Sequence, residues 1–117
     1  VALDSKRKDI YAQAFQIGLK PINKASAIDP AILGDWLQDV PGPIHIVGDA
    51  RLQAASALIE AGYEPIVIKK PEVPDGSVLA ELASQRWNWG DVLEAPLPLY
   101  LRPPDAKLPK HGGRLRS

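Results

Sequence analysis

The apolar period changes partway along the chain, and that change restricts the fold more than any other feature. Residues 10–15 alternate strictly, with Ile10, Ala12 and Ala14 on one face and Tyr11, Gln13 and Phe15 on the other. A period of two is the signature of a strand with two unlike faces. From Asp29 onward the period lengthens: Ile32, Leu33, Trp36, Leu37 and Val40 recur at helical spacing. Such a chain builds sheet first and then packs helices on it, which makes it α/β rather than a helical bundle or an all-β sandwich.

The boundaries follow from local chemistry. Val1-Ala2-Leu3 is read as the end of a buried strand, and the polar run Asp4 to Asp9 as the turn of a hairpin with residues 10–15. Leu19 to Ile28 is expected to be a third strand, at an edge or irregular at its start because Pro21 has no N–H to donate. Asp29-Pro30 predicts a helix start, with the carboxylate capping free amides and proline at a position that needs no donor. Pro41-Gly42-Pro43 ends that helix, and Ile44 to Val47 forms a short strand expected beside the first. A second helix, residues 51–61, is expected between Asp49 as its cap and Gly62 as its terminator. Glu64 to Ile68 is extended. Asp75 or Ser77 caps a third helix with Val78, Leu79, Leu82, Ala83 and Trp87 in phase, closed by Gly90. Leu97, Leu99 and Leu101 alternate, so residues 97–101 are expected to lie against the body as an extended packing segment.

Composition bounds the chemistry. With 117 residues the chain is one domain in size. It has no cysteine, which excludes disulfides, a cysteine nucleophile and thiolate metal sites. Its two histidines, His45 and His111, lie far apart, so a histidine-rich metal site is not expected. Nothing approaches the roughly 20 apolar residues of a bilayer-spanning helix. The net charge of zero divides unevenly: residues 102–117 carry five basic groups against one acid, and residues 1–101 carry nine against thirteen. The expected organisation is a folded body over 1–101 and a disordered basic tail over 102–117. The abrupt start on an apolar triplet suggests a lobe whose amino-terminal companion is absent.

Taken alone, the residues assemble no complete active site. The Asp4–Asp9 turn could cradle a phosphate through its ammonium groups and backbone donors, or be a solvated turn. Gly48-Asp49-Ala50 joins a strand to a helix, where an anion can bind, but it holds one glycine and an acid that repels phosphate. His45 is expected on the strand face away from the core. Trp87 is in phase with its helix's apolar face and Trp89 is not, so one at most could stack on a base. Asp35 and Asp39 look solvated.

Three segments resemble the TsaB (YeaZ-type) family. Val1-Ala2-Leu3-Asp4-Ser5-Lys6-Arg7-Lys8-Asp9-Ile10-Tyr11 is similar to its strand–turn–strand, which runs apolar-D-A-R-x-x-E-(V/I)-Y. Ile44 to Ala50 resembles its strand-then-glycine junction, and Ala95 to Ala106 its closing P-x-Y-L-R motif. The likeness covers residues 1 to about 106 and matches the family's carboxy-terminal half. It differs at Lys6, where the family has arginine, and at Lys8, where it has glycine; lysine lacks arginine's bidentate fork. The resemblance implies a ribonuclease H-like lobe of the actin-like ATPase fold, a mixed sheet with three antiparallel strands first. It implies a non-catalytic scaffold that binds and activates a TsaD-like catalytic subunit, together with a TsaE-like ATPase, in threonylcarbamoylation of tRNA adenosine 37. Asp4, Lys6, Tyr100 and Arg102 would be lobe-cleft or partner contacts. Neither cofactor nor metal is expected; tRNA is met only indirectly, the full-length protein could form a homodimer, and the location is cytoplasmic, with no membrane contact. The competing readings are an enzyme, either the peptidase of the family's older glycoprotease label or a nucleotide hydrolase, and a tRNA-binding module acting through the basic tail.

Overall fold

A computed structural model describes residues 1–88, 90 and 97–102. Trp89, the Ala95-Pro96 start of the closing motif and the tail from residue 103 onward lie outside the described residues. The chain is α/β, with a three-stranded antiparallel sheet, a parallel strand pair and helices.

Strand β1 (Ala2–Asp4) pairs antiparallel with β2 (Ile10–Ala12), Leu3 opposite Tyr11. β2 pairs with β3 (Ser26–Ile28), Ile10 opposite Ile28. Both later strands are shorter than the expected 10–15 and 19–28, and Asn23 stands where the pairing breaks. Its side-chain oxygen accepts from the Ala14 amide at 2.9 Å, and its carbonyl accepts from the Gln13 side chain at 2.9 Å. A side chain thus takes the place of ladder partners. Beyond it only a single bridge, Phe15 to Pro21, continues the pairing, so Pro21 marks the irregular start expected of it.

The helix predicted from Asp29 to Val40 is a 3-10 turn, Pro30–Ile32, followed by one turn of α-helix, α1 (Leu33–Trp36). Its start is as predicted: Asp29 Oδ1 accepts from the Ala31 amide at 2.9 Å, with proline first. The 3-10 turn swings Ile32 off the apolar stripe, so it is exposed rather than core; Leu33 and Leu37 are buried, and Trp36 and Val40 pack half-buried beside them.

Strand β4 (His45–Ile46) runs parallel to β5 (Ile66–Val67), and α2 (Arg51–Glu60) lies between them in sequence. His45 is exposed and Ile46 buried, as their alternation requires. The two strand groups meet at Ala2. Its amide donates to the Val47 carbonyl at 2.8 Å, and its carbonyl accepts from the Ala50 amide at 3.2 Å. The three-stranded sheet has the order β1-β2-β3, and the β4–β5 pair is a separate sheet joined to it by these bonds. On one side of these strands the core gathers Ala2, Ile10, Ala12, Ile28 and Ile46 against Leu33, Leu37 and the α2 residues Ala54, Ala55 and Leu58. Gly34 lets α1 approach α2, since a Cβ there would stand 2.7 Å from the Ala61 Cβ; Tyr63 donates its hydroxyl to the Gly34 carbonyl at 2.8 Å across the same contact.

Two packing expectations are corrected. Helix α3 (Gly76–Arg86) buries none of its residues: Val78, Leu79, Ala83 and Trp87 are exposed, and Leu82 is half-buried. It follows a proline-punctuated connection and starts on its own cap, Asp75, whose Oδ1 accepts from the Ser77 amide at 2.8 Å. Local capping thus sets its start without a core contact. Leu97 and Leu99 are also exposed, and only Leu101 and Arg102 approach the body. No helix among the described residues is long and apolar enough to cross a membrane.

Candidate functional site

The β1–β2 turn, the Gly48 junction and Arg102 come together at one place. Asp4 organises the first half of the turn. Its Oδ1 accepts from the Lys6 amide at 2.7 Å and its Oδ2 from Lys6 Nζ at 3.0 Å. This ring holds Lys6 at φ 62°, a left-handed conformation that a non-glycine residue adopts only when local bonds fix it. Accepting the Lys6 amide, and then its ammonium, keeps the Asp4 carboxyl below the ordinary aspartate range, and the same pairing raises Lys6.

Ser5 and Asp9 organise the second half. Ser5 Oγ lies 2.5 Å from the Asp9 carbonyl and 2.8 Å from Asp9 Oδ1, and accepts from the Arg7 amide at 3.2 Å. Arg102 then closes over it from 97 residues away. Its guanidinium pairs with Asp9, donates to Ser5 Oγ at 3.1 Å and lies 5.5 Å from the centre of the Tyr11 ring. An arginine can do all three at once because its planar fork carries several donors and stacks on aromatic faces.

The Gly48 junction abuts the turn from the other side. Gly48 has φ 121°, and a Cβ there would fall 2.0 Å from the Ala2 carbonyl oxygen, so only glycine fits. This close approach brings Asp49 to β1. Its Oδ1 accepts from the Asp4 amide at 2.7 Å. The expectation that Asp49 caps α2 is thereby corrected: Ala50 occupies the cap position without a side-chain bond, and Asp49 reaches across to the turn instead. Arg51 stands at the first residue of α2, donating to the Gly48 carbonyl at 3.1 Å and to Glu72 at 2.9 Å. Its Nε is buried without a hydrogen-bond partner.

Of the four residues picked from sequence, Asp4, Lys6 and Arg102 meet on the one turn. Tyr100 does not join them and is exposed. Sequence reasoning missed Ser5, Asp9 and Asp49 as the partners that tie the turn down, and Arg51 altogether. Asp9 was legible only as an acid of a turn and Asp49 only as a helix cap, since nothing local indicates bonds over 93 or 45 residues. Asp4 and Asp49 place two carboxylates beside this junction, which disfavours a phosphate there. Among the described residues no group of three or more histidine, aspartate or glutamate side chains is placed to hold a metal ion. Comparisons with protein-family models, with curated proteins and with solved structures each find no match to this chain.

Proposed function

We propose that this chain is the carboxy-terminal, ribonuclease H-like lobe of a TsaB-type accessory subunit, and that it acts as a cytoplasmic scaffold for a TsaD-like catalytic subunit in tRNA threonylcarbamoylation. The observation that supports the reading is a three-stranded antiparallel sheet followed by a parallel strand pair, with the β1–β2 turn tied to the β4–α2 junction where Asp49 accepts from the Asp4 amide. That is the arrangement the resembling motifs call for, three antiparallel strands followed by parallel ones. The scaffold role is favoured over turnover because both acids of the turn, Asp4 and Asp9, are engaged with cations. Lys6 is held by Asp4 and Arg102 by Asp9, so two of the cations at the turn already have carboxylate partners.

The test separates scaffold from enzyme. The purified chain is expected to release no phosphate from ATP and to cleave no peptide above blank. It is expected to co-elute with a TsaD-like subunit during gel filtration. Metal-dependent peptidase activity that a chelator abolishes would replace this reading with that of an enzyme.

A further inference from the structure

We propose that Ser5, Asp9 and Tyr11 form a binding site for a guanidinium group, filled in cis by Arg102 and open to an arginine side chain of another protein that displaces it. Asp9 supplies a carboxylate, Ser5 a hydroxyl oxygen and Tyr11 a ring face. Arg102 uses all three: it pairs with Asp9, donates to Ser5 Oγ at 3.1 Å and lies 5.5 Å from the centre of the Tyr11 ring. The receptor is assembled by bonds that do not involve its occupant. Ser5 Oγ lies 2.5 Å from the Asp9 carbonyl and 2.8 Å from Asp9 Oδ1, and it accepts from the Arg7 amide at 3.2 Å, all inside one turn. Tyr11 is fixed by the sheet, opposite Leu3 on one side and Ala27 on the other. A site organised in this way needs no rearrangement to receive its ligand.

The occupant is displaceable. Leu97, Leu99 and Tyr100 are 83%, 76% and 81% exposed, so the segment leading to Arg102 gains little from apolar burial. Among residues 97–102 only Leu101 and Arg102 are half-buried. Solvent also reaches the ion pair, whose Arg102 and Asp9 side chains are 19% and 27% exposed. A second guanidinium offers the same donors, and Arg102 outcompetes it only through its tether, which raises its local concentration. Shape sets the selectivity. A planar guanidinium presents separate donors to Asp9 and Ser5 while it stays close to the Tyr11 ring. A lysine ammonium concentrates its charge at one point on a flexible stem and matches that triplet poorly. The ligand class is therefore an exposed arginine, and its entry releases residues 97–102 from the turn. The site stands whether or not the protein that supplies the arginine is a TsaD-like subunit.

The experiment titrates N-acetyl-arginine amide into the 117-residue chain and into its Arg102→Ala variant, followed by amide NMR at Ser5, Asp9 and Tyr11. The variant is expected to bind saturably and about fivefold more tightly than the parent, in which the tethered side chain competes. N-acetyl-lysine amide is expected to bind the variant about fivefold more weakly than the arginine probe does. In the parent, the arginine probe should move the Leu101 amide towards its position in the Arg102→Ala variant. Asp9→Asn in the Arg102→Ala background is expected to abolish saturation, with circular dichroism reporting the fold. Tyr11→Leu in the same background keeps the carboxylate and is expected to weaken the arginine probe by about threefold, so the claim does not depend on a turn that tolerates Asp9→Asn. The absence of a saturable shift in the Arg102→Ala variant overturns the proposal. So does equal affinity of parent and variant, which would put the probe elsewhere. Equal affinity for the lysine probe would reduce the site to plain charge attraction, and arginine binding unchanged by Tyr11→Leu would remove the ring from it; either result overturns the assignment.

Discussion

Gly48 carries a constraint disproportionate to its size. It stands where two strand groups meet, at a positive φ and against the Ala2 carbonyl. Gly48→Ala is expected to destabilise the fold by about 3 kcal/mol, the range of backbone strain combined with a displaced strand contact. Urea denaturation measures it, and a loss under about 0.5 kcal/mol would mean the backbone shifts freely there. Arg102 is a milder case. Its ion pair with Asp9 is less than a third exposed on either side. Arg102→Ala should therefore cost about 1 kcal/mol, read from the same denaturation curves. Asp4 gives the site a pH response. Its folded carboxyl titrates below the free aspartate value of about 3.9, so its contribution is complete above that value. It is lost as pH falls through the lowered value, when Asp4 protonates and releases the Lys6 amide. NMR titration of the Lys6 amide should show one transition below about pH 3.9. A transition above it would contradict the pairing. The charge of this turn was legible in sequence, and so were Asp4, Lys6 and Arg102 as candidates. Their partners were not, because a carboxylate 45 residues away leaves no local periodicity to read.

The elements divide into those held by the core and one that stands on its cap. Capping located two helix starts, because it is a local property: Asp29-Pro30 and Asp75 both act as their residue types predict, whereas Asp49 does not cap α2. Length and packing were less legible. The period of residues 32–40 reads as one helix, yet a 3-10 turn interrupts it, and where the pairing of two strands breaks stands Asn23, with a side chain whose reach the alternation does not encode. For α3, an apolar phase indicated a buried face, yet none of its residues is buried. A sharp contrast between α2 and α3 follows. Leu58→Ala removes a side chain only 1% exposed and should cost 2–5 kcal/mol, at about the range for a core leucine. Asp75→Ala should reduce the helical signal at 222 nm while leaving the global thermal midpoint within about 1 °C, because loss of a cap frays a helix that contributes no core contact. A midpoint that falls with Asp75→Ala as far as with Leu58→Ala would show that α3 is integral to the cooperative unit.

At the scale of the whole molecule, one core holds the three-stranded sheet, α1 and α2 together, and two hydrogen bonds at Ala2 join that sheet to the segment between β4 and α2. The β1–β2–β3 hairpins were readable from sequence; the strand expected beside the first pairs instead with β5 and meets β1 through the Ala2–Val47 bond. The contact of residues 97–102 was not readable. Three alternating leucines indicated a packing face, whereas the segment is joined to the body through Arg102, a polar contact on a turn. The proposed scaffold role places the meaning of this arrangement in a partner: a turn and a junction locked in register would present a fixed surface rather than a reacting one. Isothermal titration of the purified chain with a TsaD-like subunit tests that claim most directly. A saturable one-to-one isotherm, weakened at least tenfold by Lys6→Ala with Arg102→Ala in a chain that still folds, is the predicted result; no heat of binding at any concentration up to the solubility limit of either protein would contradict it.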